Sequence, residues 1–363
     1  MVSWRGMGLP TLDGLPAEAR ILCLRLSALG DVVFALPALE ALREALPGAE
    51  IAWLTEDRHL SLLEHHPSID RLFGFPRKAW RGGRGLKPMT RHLRGLRGAG
   101  RWDLVLDFQG NLKSGLQLMF LRSAAKVGFA PPVAREGAHR FLHHAVEVPA
   151  GQARWRRDAA LLEACGWRGE ARLHHRWALP EVVDREVAAA LPDETLLLHT
   201  GVTAYGRDKA WPRERWIELA ARLGEGARPL RLLWTPAEEA EVEAIRDEAR
   251  GQSPGLDLEL APATPSLGHL MALLDHAAAL IGTDSGPLHL GAYRGTPVVG
   301  LYGATDPAVY APPGERVAIV DGGEGTPPPA RDRSRRSPRM DAVAVDAVLE
   351  ALAGLDAQRS RQA

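Results

Sequence analysis

Short, continuously apolar runs recur along this chain, and each is followed by a stretch with helical spacing. In the first half they are ILCLRL (21–26) before the helical pattern Pro37–Leu46, IAWLT (51–55) before HLSLLEHH, and LVLDF (104–108) before KSGLQLMFLRSA. Strands that are apolar on both faces and separated by helices build parallel sheets covered on both sides. The pattern then restarts. TLLLHT (195–200) precedes PRERWIELAARL, LRLLWT (230–235) precedes AEEAEVEAIRDEA, and LDLEL precedes LGHLMALLDHA. AALIGT (278–283) and PVVGLYG (297–303) bracket a helix that starts near Pro287. The reading is an α/β fold of two similar doubly wound, Rossmann-like parallel-sheet domains facing a cleft. Pro180 and Pro192 flank a short charged helix between the halves, which puts the linker near residues 178–194. The expected domains are 20–180 and 181–340, after a flexible arm over 1–19 and before a C-terminal helix and tail over 341–363.

A length of 363 residues suits two such domains. Lys+Arg and Asp+Glu are equal at 45 each, so the overall balance favours neither nucleic acid nor membrane. The charge is uneven locally: Arg71 to Trp102 carries ten Lys or Arg residues and no acid, either a solvated helix-and-loop face or a site for an anionic partner. The two cysteines, Cys23 and Cys165, fit neither a disulfide framework nor a metal site. No apolar run reaches the roughly 18 residues that a membrane span needs, and the first twenty or so residues lack a signal-peptide core. A cytoplasmic protein is expected. The Gly, Pro and Arg-rich segment 322–339 reads as a mobile loop.

The most informative stretch is GTDSGPLHLGAYRGTPVVGLYGATDP (282–307). Pro287 suits a first helical turn, so Ser285 and Gly286 leave backbone N–H groups at a positive helix end, where phosphate binds. His289, one turn in, can reach the same ligand. The alternative is that Asp284 or Ser285 is merely an N-cap. Upstream, Lys209 precedes the helix start at Pro212 and would aim an ammonium at the carboxyl edge of the strands, as a partner for a leaving phosphate. Neither half carries G-x-G-x-x-G or G-x-x-x-x-G-K-[ST], which argues against a nicotinamide dehydrogenase or a P-loop phosphotransferase.

The first strand leads into SALGDVVFALPALEALREAL (27–46), with Asp31 where a phosphate cradle would be glycine. A carboxylate there is stabilised by the helix end and repels a pyrophosphate. The donor is therefore expected on the second domain, with Asp31 opposite it as a general base for an incoming hydroxyl; an ordinary helix cap is the simpler role.

The segments RLSALGDVVFALPALEALREALPGAEIAWLTE, DLVLDFQGNLKSG, KAWPRERWIELA and GTDSGPLHLGAYRGTPVVGLYGATDP, in this order and spacing, resemble the heptosyltransferases of the lipopolysaccharide inner core, over residues 20–355. GFAPPVAREGAHRFLHHAV (128–146) is more similar to the members that add the first heptose to Kdo-lipid A. The resemblance implies a GT-B fold and metal-independent, inverting transfer from ADP-L-glycero-D-manno-heptose, with no cofactor. By this likeness the first domain takes the acceptor and the second the ADP-sugar. Asp31 falls on the family's base, Lys209 on its donor-side lysine, and Asp284, Ser285, Gly286 and His289 on its sugar- and phosphate-contacting set. Thr200 and Thr203 match hydroxyl contacts to the phosphates, and Glu238 or Glu239 the acid that holds the ribose. On the acceptor side it points to Arg77, Lys78, Arg81 and Arg135 for Kdo carboxylates and lipid A phosphates, and to Gln109, Gly110 and Lys113 along the cleft. Many relatives carry cysteines before the last helix, where this chain has RDRSRRSPRMDAV. The implied partner is an anionic lipid met at the cytoplasmic face of the inner membrane, with no nucleic acid. The alternatives are the same scaffold with another nucleotide-sugar donor or acceptor, and a catalytically silent nucleotide-sugar-binding protein.

Overall fold

The structure, a computed structural model, describes residues 8–77, 86–149, 151–171, 174–202, 206–226, 228–323 and 335–362. It divides into two units, Met1–Arg172 and Leu173–Ala363. In the first, the strands are β1 (Arg20–Leu24), β2 (Glu50–Glu56), β3 (Arg71–Phe75), β4 (Arg101–Asp107), β5 (Arg122–Phe129) and β6 (His144–Val146), all parallel, in the order β3-β2-β1-β4-β5-β6. In the second they are β7 (Leu196–His199), β8 (Leu230–Leu232), β9 (Leu258–Leu260), β10 (Ala279–Thr283), β11 (Val298–Tyr302) and β12 (Val317–Asp321), in the order β12-β11-β10-β7-β8-β9. Counted within each unit, both sheets follow one doubly wound order.

That shared order fixes where ligands bind. Ile21 of β1 lies between Ile51 of β2 and Leu104 of β4, and Ile281 of β10 lies between Leu198 of β7 and Val299 of β11. Strand order reverses between β1 and β4, and again between β7 and β10. At such a point the connections leave in opposite directions and open a crevice at the carboxyl ends of the strands.

Each sheet has its own core. Leu22, Leu24, Leu54, Trp102, Val105 and Leu118 pack in the first unit. In the second, Leu198, Trp211, Trp216, Ile281 and Val299 pack with Val345, Val348 and Leu352 of the last helix. The helices that matter below are α1 (Leu29–Ala45), α2 (Leu86–Gly98), α3 (Leu112–Phe120), α4 (Arg154–Arg157), α5 (Ala159–Ala164), α6 (Glu181–Ala190), α7 (Arg213–Gly224), α8 (Glu239–Gln252), α9 (Leu267–His276), α10 (Gly286–Arg294) and α11 (Val345–Gln362).

Several expectations change. Residues 8–19, expected within a flexible arm, are docked: Leu12 is buried and its N–H donates to the Cys165 carbonyl at 2.8 Å. An apolar side chain with a place in the core outweighs the Gly and Pro around it. The segment expected as a linker carries α6, which belongs to the second unit: Asp184 meets His276 of α9 at 2.9 Å, and the division falls earlier, at 172/173. The basic run is not only helix and loop, because it opens with β3 and ends on β4. Of the loop expected over 322–339, residues 324–334 lie outside the described residues; Pro338–Ala342 form a helical turn and the Ser337 N–H donates to the Asp208 carbonyl at 3.0 Å. Cys23 and Cys165 are separate buried thiols, and burial pushes Cys165 up to about 11.

Candidate active site

At the first reversal point β1 runs into α1, and Asp31 occupies the third position of that helix. Its Oδ1 meets two guanidinium groups, Arg25 Nη2 at 2.9 Å and Arg154 Nη2 at 2.7 Å. Its Oδ2 faces the Ala28 N–H at 3.4 Å. Two cations on one oxygen fix the carboxylate's direction at the sheet edge. Arg25 is almost fully buried and also donates to the Phe108 carbonyl. Asp158, between α4 and α5, is buried close to the same arginines. Burial pushes its carboxyl up to about 7, against the pull of Arg25 and Arg154, and Asp31 adds to the rise.

The neighbouring loop after β4 is braced from within. Asp107 Oδ1 accepts the N–H groups of Gln109 (3.0 Å) and Gly110 (3.2 Å), and its Oδ2 accepts the Ser114 hydroxyl (2.9 Å). Burial pushes Asp107 up to about 6 despite these bonds. Gln109 Oε1 accepts the N–H groups of Leu26 and Ser27, at 2.9 and 3.0 Å, so one end of its amide holds the loop that carries Asp31. Gly110 sits at φ +66°, where L side chains are strained, and its carbonyl accepts the N–H of exposed Arg135 at 2.8 Å.

Arg77 and Lys113 converge on the buried Glu56: Arg77 Nη1 is 3.1 Å from Oε2 and Lys113 Nζ 3.5 Å from Oε1, with Arg58 Nε 2.9 Å from Oε2. Burial alone would raise Glu56, but Arg58, Arg77 and Lys113 hold its carboxyl below the usual range. The three cations stay partly exposed, a cationic surface anchored from beneath. Lys78, Arg81 and Thr203 lie outside the described residues.

At the second reversal point, Asp284 directly follows β10 and organises the site. Its Oδ2 meets Lys209 Nζ at 2.6 Å and accepts the Thr305 hydroxyl at 2.8 Å, while Oδ1 meets His289 Nε2 at 2.9 Å. Burial opposes the charge, yet the bonds to His289 and Lys209 win and hold the carboxyl well below its ordinary range. Lys209 also donates to the Asp284 carbonyl at 3.3 Å and stays about a quarter exposed, so the third N–H of its ammonium is left for a ligand. Asp284 is not the helix cap. Ser285 holds the N-cap position of α10, its hydroxyl turned to His199 Nδ1 at 3.1 Å, with Gly286 and Pro287 opening the helix. Burial lowers the His199 ring below its usual value and so favours the neutral imidazole.

Thr200 follows at the end of β7, and beside it Gly201 leaves room for Glu238: a Cβ at 201 would lie 2.3 Å from Glu238 Oε1. Glu238 Oε2 accepts the Thr235 hydroxyl and N–H, at 2.6 and 3.1 Å. Glu239 begins α8 and is exposed. The second unit thus brings together Lys209, Asp284, Ser285, Gly286 and His289, and separately seats Glu238 against the Thr200–Gly201 turn.

Sequence reasoning missed Arg25, Arg154, Asp158, Glu56, Arg58, His199 and Thr305. Arg25 had a signal: a charged residue inside an apolar strand must find a partner. Thr305 stood inside the quoted 282–307 segment with no role assigned.

Two parallel sheets of one doubly wound order, each with a furnished reversal point, are the α/β architecture of GT-B proteins. Residues 89–338 match the profile of glycosyltransferase family 9 (heptosyltransferase), and the chain belongs to this family. Lipopolysaccharide heptosyltransferase 1 of Pseudomonas aeruginosa is 31% identical over 79% of this chain and 79% of its own length. The fold is similar to Escherichia coli heptosyltransferase WaaC with ADP, with a TM-score of 0.73, 23% identity, and coverage of 93% of this chain and 99% of that one. It is also similar to E. coli ADP-heptose lipopolysaccharide heptosyltransferase II, with a TM-score of 0.77, 18% identity, and coverage of 94% and 99%.

Proposed function

We propose that this glycosyltransferase moves L-glycero-D-manno-heptose from ADP-heptose to Kdo-lipid A, by a single inverting displacement that needs no metal. The observation that carries the reading is the unequal furnishing of the two reversal points: a clasped carboxylate in one unit, an ammonium beside a helix N-terminus in the other. The acceptor hydroxyl attacks the anomeric carbon opposite the departing ADP. Asp31 takes its proton, and Arg25 and Arg154 keep the carboxylate aimed. Negative charge grows on the bridging phosphate oxygen, where Lys209 and the N–H groups at Ser285 and Gly286 receive it; such a preorganised donor is worth about 3 kcal/mol. Asp284 and His289 hold Lys209 and the sugar, Glu238 holds the ribose, and Thr200 and Thr203 contact the phosphates. Arg77, Lys78, Arg81, Gln109, Lys113 and Arg135 receive the acidic acceptor.

The enzyme works on the cytoplasmic face of the inner membrane as a peripheral protein. Among the described residues no helix is long and apolar enough to cross a membrane. The test is mass-detected product on a Kdo-lipid A acceptor, with ADP-heptose set against UDP- and GDP-sugars and with a chelator added. Acceptor-dependent release of ADP that survives the chelator supports the reading; transfer from another donor alone overturns it. Asp31→Ala is expected to lose nearly all turnover and keep ADP binding, and a variant with most of its rate removes Asp31 as the base.

A further inference from the structure

Asp158 has no part in the scheme above, yet it is fully buried and neither carboxyl oxygen receives a hydrogen bond among the described residues. A buried carboxyl without hydrogen bonds is costly, so its charge state answers to its neighbours. The charged groups acting on it come from three places. Arg25 reaches in from beyond β1, Asp31 from α1, and Arg154 and Arg157 from its own helical segment. Arg157 Nε stands 3.8 Å from Oδ1, an ion-pair separation without a hydrogen bond, and its guanidinium lies 5.3 Å from the ring centroid of Phe129 on β5. Arg25 and Arg154 therefore act on two carboxyls: Asp31, which they bond directly, and Asp158, whose charge they favour without a hydrogen bond.

We propose that Asp158 is a positioning residue for the transfer reaction, a buried countercharge that shares Arg25 and Arg154 with Asp31 and sets how strongly Asp31 holds a proton. The inference rests on Asp31 being the base. With Asp158 ionised, the arginine cluster is more nearly balanced and Asp31 is the stronger base. With Asp158 neutral, Asp31 alone answers the guanidinium groups and its proton affinity falls. The coupling is reciprocal, because each charge raises the proton affinity of the other by the same amount.

The experiment compares wild type, Asp158→Asn and Asp31→Asn. Acceptor kcat/KM is followed from about pH 5.5 to about pH 9 at saturating donor. In Asp158→Asn the acid limb moves to lower pH, the plateau drops roughly three- to tenfold, and donor KM stays put. A merely structural residue would scale the whole curve without moving its limb. The second readout needs no turnover: in 13C-aspartate NMR titrations, the Asp158 midpoint falls in Asp31→Asn relative to wild type. An Asp158→Asn profile of unchanged shape, or an Asp158 midpoint indifferent to Asp31→Asn, overturns the inference; if Asp158→Asn does not fold, the NMR comparison decides alone. If Asp31→Asn keeps most of its turnover, the base assignment fails instead. If Asp31→Asn is inactive and the Asp158→Asn limb is unmoved, only the role of Asp158 falls.

Discussion

Asp284 and Asp107 are both buried aspartates at strand ends, and their surroundings push them in opposite directions. Lys209 and His289 outweigh burial at Asp284 and hold it below its usual range, whereas at Asp107 burial outweighs three hydrogen bonds and lifts it to about 6. The linkage signs follow. Asp284 binds its proton more weakly folded than unfolded, so its contribution is present above the ordinary value of about 3.9 and is lost as pH falls below it. Asp107 binds its proton more tightly folded, so its contribution is full below about 3.9 and is lost as pH climbs through about 6. Thermal unfolding across pH reads both. Asp284→Asn is expected to cost about 3 kcal/mol near neutrality, as one member of a buried pair is removed, with the gap to wild type closing on acidification. Asp107→Asn should close its gap in the other direction, as pH rises past about 6. Parallel curves for either variant would remove its assigned charge state. Asp31, Lys209, Asp284 and His289, the residues that sequence reasoning picked as candidates, each lie in a strand-to-helix connection or in the opening of the helix that follows. Arg154 and Asp158 were not picked, since a partner 123 positions away leaves no local trace.

Most strands that are buried on both faces announced themselves, and of the edge strands only β9, in LDLEL, did. β1, β2, β4, β7, β10 and β11 read as continuous apolar runs because both faces are covered. The edge strands β3, β6 and β12 are partly exposed and too mixed to stand out, and β5, RSAAKVGF, opens with charged and small residues. The helix α2 is the element with most left to test. Its exposed Arg91, Arg94 and Arg97 recur every third residue along one side, while Leu96 is buried on the other. On the adjacent α3, Met119 is 58% exposed, and the two helices are joined by His92 Nε2 and Gln117 Oε1 at 2.8 Å. Cationic side chains along one exposed helix face suit an anionic leaflet, at about 1 kcal/mol per arginine near the surface. Replacing Arg91, Arg94 and Arg97 with Ala should weaken co-sedimentation with anionic vesicles about 100-fold and flatten its salt dependence. Binding that ignores both salt and these substitutions would leave α2 as an ordinary solvated face.

The molecule as a whole is two separately cored units, and where one ends is a question the chain answers with Trp177. Sequence reasoning put the second domain at 181–340 with a helix after it, because Pro180 looked like punctuation. The side chains put the start earlier. The His175 N–H donates to the Tyr293 carbonyl at 2.9 Å, and Arg294 donates to the Trp177 carbonyl at 3.2 Å with its guanidinium 4.8 Å from the Trp177 ring centroid. Trp177 is 4% exposed and Arg294 2%. At the other end, Val345, Val348, Leu352 and Leu355 of α11 are buried in the same core, and Asp356 meets Arg228 at 2.8 Å. A fragment of residues 173–363 keeps all of this. One of 181–363 discards Trp177, uncovers Tyr293 and leaves buried Arg294 with Asp275 as its remaining ion-pair partner, a loss of about 3 kcal/mol by analogy with truncating a buried tryptophan. Melting curves should separate the two by roughly 10 °C. The longer fragment should bind ADP in a calorimetric titration within about tenfold of the whole chain, because Lys209, Asp284, Ser285 and His289 all lie inside it, and it should transfer nothing without Asp31. Equal stability of the fragments would remove Trp177 from the second unit's core. A well-folded 173–363 fragment that ignores ADP would mean that its reversal point does not hold the diphosphate unaided.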